Sequence, residues 1–238
     1  MSLDIQDLSY AYGRKQALKS VSFTARPGRF TALLGPNGAG KSTLFALLTR
    51  LFTSSQGTIR IAGHDLARTP RAALAQMGIV FQQQTLDLDL SVRQNLRYFA
   101  ALHGLSGKAA ETRIDAALDR LTMRERAQEK ARTLNGGHRR RTEIARALLH
   151  GPSVLLLDEP TVGLDAAARA SITQHLHDLA EQDSLTVLWA THLTDEVKPG
   201  DDLVLLHQGE IRAKGRSMDL HGTSTLSDWF LMQTEVPA

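Results

Sequence analysis

The chain has 238 residues, 42% hydrophobic and 22% charged, which is ordinary globular usage and excludes a disordered, collagen-like or coiled-coil protein. At roughly 150 residues per domain, that length predicts one large domain or one domain carrying an inserted lobe. No apolar run approaches the roughly 18 residues of a membrane-spanning helix, Met1-Ser2-Leu3-Asp4 lacks a secretory pattern, and zero cysteines exclude disulfides and thiolate metal sites.

The formal net charge is +3 and the pI about 9.4, but the basic residues are unevenly placed. Between Arg120 and Arg146, nine Lys/Arg stand against Glu125, Glu129 and Glu143, a local +6 that leaves the remainder at -3. Few aromatics are interleaved there to stack bases, so the stretch reads as solvated helix surface and no nucleic-acid partner is expected.

In chain order, the first 80 residues read as short strands: Leu3 to Tyr10, Ala17 to Thr24, Arg29 to Leu34, Thr58 to Ala62 and Gly78 to Phe81. Gly13, Pro27-Gly28 and Gly57 punctuate them. Beyond Phe81 the period changes. Ser91 and Gln94 have capping-box spacing ahead of a helix that runs to Gly104, and a second helix is predicted from Lys108 to Leu121. A further helix is expected over Arg139 to Leu149, so residues 84–152 form a helical lobe inserted into an α/β body. Strands return at Val154 to Leu157, Leu185 to Ala190, Leu203 to His207 and Glu210 to Ala213, the last two joined as a hairpin through Gln208-Gly209. The helix Ala166 to Glu181 between the first two implies a buried parallel sheet. Near the end, Trp229 to Met232 predicts a short helix docked on the body.

Gly35-Pro36-Asn37-Gly38-Ala39-Gly40-Lys41-Ser42 fits G-x-x-x-x-G-K-[ST], between a predicted strand and an apolar-periodic run beginning at Leu44. The glycines let backbone N–H groups turn inward around phosphate oxygens, and the new helix adds its positive end. Lys41 is expected to reach the β- and γ-phosphates and Ser42 to offer its hydroxyl to Mg²⁺. A second signal is Val154-Leu155-Leu156-Leu157-Asp158-Glu159, an apolar strand ending in two acids. Such a pair is costly unless a cation or hydrogen bonds offset it. Asp158 therefore reads as a Mg²⁺ partner, direct or through water, and Glu159 as the group that orients or deprotonates an attacking water. His192, just beyond a strand predicted to lie beside that of Asp158, would emerge at the same carboxyl edge to touch a γ-phosphate.

These residues resemble, in order and over nearly the whole chain, the ATP-binding cassette ATPase family. The resemblance implies an α/β fold: a P-loop NTPase core (1–83 and 153–222) with a mostly parallel sheet, an N-terminal antiparallel β-subdomain, the helical subdomain 84–152, and a tail at 223–238. Gly35 to Thr43 corresponds to the Walker A loop and Val154 to Glu159 to Walker B. Tyr12 resembles the aromatic that stacks on adenine, with Tyr10 as the competing choice. Gln82 resembles the glutamine joining Mg²⁺ and the attacking water to the helical lobe. Leu134-Asn135-Gly136-Gly137-His138 resembles the signature loop, Gly163-Leu164-Asp165 the D-loop, where Asp165 could equally be a helix cap, and His192 the switch histidine. Asn135 and His138 depart from the family's usual serine and glutamine. Arg139-Arg140-Arg141 resembles the exporter-type branch, against the alternative of three exposed helix positions. A narrower resemblance is to ATPases of small exporter systems found with quinoprotein alcohol dehydrogenases.

The resemblance further implies a head-to-tail homodimer in which ATP and Mg²⁺ lie between Walker A of one copy and the signature loop of the other. The dimer would power an integral permease on a separate chain from the cytoplasmic face of the plasma membrane. The segment Thr85 to Leu102, with its Asp87 to Leu90 edge, is the expected permease contact. Two readings compete. A soluble cassette ATPase acting on nucleic acid or ribosomes usually carries two cassettes or a long coiled-coil insertion. A P-loop small-molecule kinase would leave Glu159 and Asn135 to Gly137 unexplained.

Overall fold

The structure, a computed structural model, describes residues 2–235; Met1, expected in the first core segment, and 236–238 of the expected tail lie outside them. Two sheets organise the chain. β1 (Leu3–Tyr12) and β2 (Lys15–Ala25) form an antiparallel hairpin joined by β4 (Gln56–Ile61) and the short β5 (His64–Asp65), in the order β2-β1-β4-β5. β3 (Phe30–Leu34), β6 (Met77–Val80), β7 (Val154–Asp158), β8 (Thr186–Thr191), β9 (Asp202–His207) and β10 (Glu210–Arg216) make the second sheet, ordered β10-β9-β3-β8-β7-β6. All its pairings are parallel except β9 with β10.

β3, β8 and β9 are buried along their whole length, as strands covered on both faces must be. Alternate side chains go to opposite cores. Leu34, Leu155, Leu157 and Trp189 pack with Ile172 and Leu176 of α6 (Ala166–Asp183). Leu33, Leu156 and Leu188 pack with Leu44 and Leu48 of α1 (Lys41–Leu48) and with Leu3, Ile5 and Val21 of the antiparallel sheet. Each fully buried leucine contributes roughly 1.5–3 kcal/mol, enough to hold the strand ends, and therefore Gly35, Asp158 and His192, in fixed register.

Between β6 and β7, α3 (Val92–Leu102), α4 (Gly107–Arg120) and α5 (Gly136–Leu148) bury Leu96, Ile114 and Ile144 against one another. The capping box forms: Ser91 Oγ accepts from the Gln94 N–H at 3.2 Å, and Gln94 Oε1 accepts from the Ser91 N–H at 2.8 Å. α5 begins three residues before the expected Arg139, because Asn135 Oδ1 accepts from the His138 N–H at 2.8 Å and caps it. The basic stretch is not simply solvated surface. Arg140 and Arg146 are only 2% and 7% exposed, their guanidinium groups taken up by carbonyls and by Glu143. Arg139 and Arg141 are half-buried and bond carbonyls of Ala131, Arg132 and Leu121.

The sequence reading did not anticipate β5 or α2 (Pro70–Ala75), a six-residue helix opened by a proline in its first turn. α7 (Ser217–His221) leads to α8 (Leu226–Thr234), which docks through buried Trp229 while Leu231 and Met232 stay exposed. No helix among the described residues is long and apolar enough to cross a membrane.

Candidate active site

The phosphate loop leaves β3 at Leu34, and the Gly35 N–H donates to the Thr191 carbonyl at 3.2 Å, tying it to the end of β8. Two of its glycines are sterically required. A Cβ on Gly35 would collide with the Leu206 carbonyl oxygen, and one on Gly40, whose φ is +113°, would sit 2.9 Å from the Ala17 carbonyl oxygen. Gly40 caps α1 without any side-chain hydrogen bond and the first turn holds no acid, so the free N–H groups present a positive end to the loop.

Behind the loop lies Lys41, 5% exposed, its Nζ donating to the carbonyls of Gly35 at 2.6 Å and Pro36 at 3.2 Å. The same Nζ is 3.2 Å from Glu159 Oε1, and His192 Nδ1 is 3.2 Å from Glu159 Oε2. The histidine is within ion-pair distance but is not aligned to hydrogen-bond that oxygen, which leaves its buried Nδ1 without a hydrogen-bond partner. Glu159 adopts φ +45°, a left-handed conformation that costs a non-glycine residue of order 1 kcal/mol or more. Its N–H donates to the Ala190 carbonyl at 3.0 Å, and the resulting turn out of β7 swings the carboxylate between Lys41 and His192.

Asp158, one residue earlier, pairs in register with Ala190 of β8. Burial, and then the neighbouring Glu159, push its carboxyl up from 3.8 to about 6, with Lys41 pulling weakly the other way. A carboxylate raised chiefly by burial is costly to ionise where it stands, and a cation beside it would offset that cost.

A cavity of about 730 Å³ opens over the loop and brings together Tyr12, Lys41, Ser42, Thr43, Gln82 and Glu159, floored by residues 37–40. β1 runs two residues beyond its expected end at Tyr10, which carries Tyr12 to the rim, where its hydroxyl is 3.3 Å from Thr43 Oγ1. Tyr10 instead stacks on Phe52, ring centroids 5.6 Å apart. Part of the lining was not anticipated: Lys15, paired in register with Tyr12, Lys19 and Gln208 also line the cavity, and the Gly209 N–H donates to the Ala39 carbonyl at 2.9 Å, propping the loop. Nothing in a lone lysine or a Gln-Gly hairpin marks such a role in sequence. Glu196 was also missed. It is 2% exposed and accepts from Trp189 Nε1 at 3.0 Å and from the hydroxyls of Thr161 and Thr191, joining the segment after Glu159 to the turn after His192.

Asn135, Gly136 and Gly137 do not line this cavity. They sit with Asp165 in a separate cluster: a Cβ on Gly136 would be 3.0 Å from Leu164 and one on Gly137 3.2 Å from Ala168, and Asp165 Oδ1 caps α6 by accepting from the Ala168 N–H at 2.8 Å. Burial, then Arg126 and Arg141, hold the His138 ring below its usual value, so it adds no charge to that end of α5 near neutral pH.

Residues 18–162 match the family described as ABC transporter. Among curated relatives, the chain is 35% identical to the linearmycin resistance ATP-binding protein LnrL of Bacillus subtilis over 92% of its length and 70% of that protein. It is 38% identical to the Nod factor export ATP-binding protein I of Neorhizobium galegae over 92% of the chain but 63% of the relative, and 34% identical to the daunorubicin resistance ATP-binding protein DrrA3 of Streptomyces coeruleorubidus over 88% and 66%. The chain thus spans about two thirds of the length of these relatives. Among solved structures, cbiO1 from Clostridium perfringens, part of the cbiONQ transporter complex, superposes with a TM-score of 0.86 at 29% identity, covering 97% of this chain and 94% of that one. The cassette MJ0796, a dimer bound to ADP and Pi in a post-hydrolysis state, superposes with a TM-score of 0.77 at 27% identity over 90% and 98%. The matched region contains both the phosphate loop and the β7 carboxylates, and the chain belongs to the ABC transporter family as an ATPase cassette.

Proposed function

We propose that this cassette powers export, closing head to tail on ATP with a second copy and opening after hydrolysis so as to drive a permease carried on another chain. The observation that carries the reading is a division of parts. Lys41, Glu159 and His192 converge on the phosphate loop, while the N-terminal end of α5, with Asn135, Gly136 and Gly137, lies outside that cavity. A second copy brings that end to the γ-phosphate. Asn135 Oδ1 is committed to the His138 N–H, which leaves its amide nitrogen as the donor toward phosphate. The names of the relatives, resistance and export ATP-binding proteins, support export as the task.

In this reading Tyr12 stacks on the adenine, the amides of residues 37–43 hold the β- and γ-phosphates, and Lys41 turns its remaining N–H from Glu159 to the γ-phosphate. Glu159 Oε accepts a proton from a water whose oxygen attacks the γ-phosphorus. The bond from that phosphorus to the β–γ bridging oxygen breaks, giving ADP and phosphate. His192, with its unpartnered Nδ1, donates to the γ-phosphate, and Gln82 links the attacking water to the helical lobe.

The donor set fits Mg²⁺. Ser42, Gln82 and Asp158 each bring an oxygen donor, and burial, then Glu159, make the Asp158 carboxylate costly to ionise, a cost that a divalent cation would offset. When bound it neutralises charge on the phosphates; Ser42 and Gln82 would hold it, with Asp158 direct or through water.

Exposed Leu88, Tyr98 and Leu102 on the helical lobe support a permease contact there, and such a partner would hold the cassette against the cytoplasmic face of the membrane. Affinity capture of the tagged chain from detergent-solubilised membranes tests this. Recovery of one integral membrane protein in stoichiometric amount is expected. Recovery with ribosomes or nucleic acid alone would overturn the assignment in favour of a soluble cassette.

A further inference from the structure

The helix that carries Gly136 and Gly137 also grips the segment that carries Gln82, and it does so with buried charges. Arg140 Nη1 donates to the Phe81 carbonyl at 2.7 Å and to Glu143 Oε2 at 2.8 Å, while Nη2 donates to the Gln82 carbonyl at 2.8 Å. Glu143 Oε1 accepts from the Thr85 N–H at 2.7 Å, and Arg146 Nη2 donates to Thr85 Oγ1 at 2.7 Å. Arg140 and Glu143 are 2% and 1% exposed, whereas Gln82, Gln83 and Gln84 between the gripped positions are exposed.

Packing alone does not account for this arrangement. Taking an arginine and a glutamate out of water costs several kcal/mol per ion, and apolar side chains of similar volume would join α5 to β6 at least as well. The guanidinium fork and the carboxylate are instead directed at the backbone of residues 81, 82 and 85. Four residues along an α-helix is a rise of about 6 Å, so Arg140 stands roughly one turn from Gly136. Any shift of the Gln82 backbone when nucleotide enters the cavity it lines is therefore delivered one turn from the glycine end.

We propose that Arg140 and Glu143 are positioning residues that join the Gln82 segment to the glycine end of α5, so that nucleotide in one copy's cavity sets the position of the loop that copy offers to the other. The proposal rests on the head-to-tail reading above. Its consequence is that the pair governs closure and turnover without contacting nucleotide.

The test uses the full chain with Arg140→Met and Glu143→Gln combined, which removes both charges together and keeps an acceptor for the Thr85 N–H. Expected are a thermal midpoint near that of the parent, nucleotide binding by the single chain within about twofold, kcat down at least tenfold with KM within threefold, and loss of the ATP-dependent dimer in a Glu159→Gln background. A purely structural role would move the thermal midpoint and leave kcat per folded molecule unchanged. A folded double variant with parental kcat and dimerisation overturns the proposal. Should the double variant not fold, Arg140→Lys decides: it keeps a charge to pair with Glu143 but replaces the rigid fork, whose two nitrogens hold the Phe81 and Gln82 carbonyls, by a single nitrogen on a flexible stem. A kcat reduced at least threefold at constant KM supports the proposal, and a parental kcat overturns it. If the parent carrying Glu159→Gln itself stays monomeric with ATP, the head-to-tail reading has failed; if the parent dimerises and the double variant does so equally, only the role of the pair has failed.

Discussion

Asp158→Asn is expected to make the nucleotide-free protein more stable while disabling it. Burial and Glu159 raise the Asp158 carboxyl from 3.8 to about 6 in the folded chain. The folded state thus holds this proton more tightly than the unfolded state. The contribution of the neutral acid is fully present below about pH 4 and is lost as pH rises through about 6, so at pH 8 the ionised, buried carboxylate carries its full cost. A difference near 2 pH units corresponds to about 3 kcal/mol at most, and partial solvation brings the expected gain from the neutral amide to about 2 kcal/mol. For a chain of this size, that corresponds to a melting midpoint raised by roughly 4–8 °C at pH 8. Below pH 5 the advantage should shrink toward zero. The assay is calorimetric melting of both proteins at pH 4.5, 6 and 8, without nucleotide and then with excess ATP and Mg²⁺. With nucleotide and metal the order should reverse, since the wild-type carboxylate then has a cation to offset. An Asp158→Asn variant no more stable than wild type at pH 8, or equally advantaged at every pH, would refute the idea that β7 ends in a carboxylate that burial makes costly to ionise.

Other outcomes follow from the same geometry. Lys41→Ala removes a charge-assisted contact worth about 1.5–3 kcal/mol and should weaken ATP binding roughly 10- to 150-fold by calorimetric titration; wild-type affinity would contradict the cradle. Gly137→Ala adds a methyl 3.2 Å from the Ala168 Cβ, a contact that slight yielding accommodates, and should keep ATP-dependent dimerisation, whereas Gly137→Asp should abolish it through repulsion of phosphate. If Gly137→Asp dimerises as well as the Gly137→Ala control, α5 is removed from the nucleotide. Burial, with His103 stacked 4.0 Å away, lowers the His150 ring to about 4, so the unfolded chain takes up a proton near 6.5 that the folded chain refuses. Stability from this source is present above pH 6.5 and is lost as pH falls toward 4; His150→Gln should flatten that loss, measured as urea midpoints at pH 7.5 and 5.

The phosphate loop was legible because its chemistry is local: a strand, a glycine turn and a helix start all lie between Phe30 and Leu48. The parallel topology could be read from the uniformly apolar β7 and the α6 spacing, and it placed Asp158 beside β8 from residue pattern alone. What depended on side-chain direction was not legible. Arg140 and Arg146 look like solvated positions in a basic run, and only the fold shows Phe81, Gln82, Thr85 and Glu143 waiting for them. Nothing in the sequence around Glu196 marks it, yet it collects two hydroxyls and an indole. α2 was missed because a six-residue helix with one buried alanine has too little periodicity to register. The start of α5 was set late because glycines are poor helix formers, and the cap at Asn135 outweighs them.

The most direct measurement is the molar mass in solution of the Glu159→Gln protein at saturating ATP and Mg²⁺, by light scattering behind gel filtration, against the same protein with ADP. Twice the 26.1 kDa chain mass with ATP and the single mass with ADP is the predicted result. A single mass in both, with calorimetry showing ATP bound, would contradict a catalytic centre assembled from two copies.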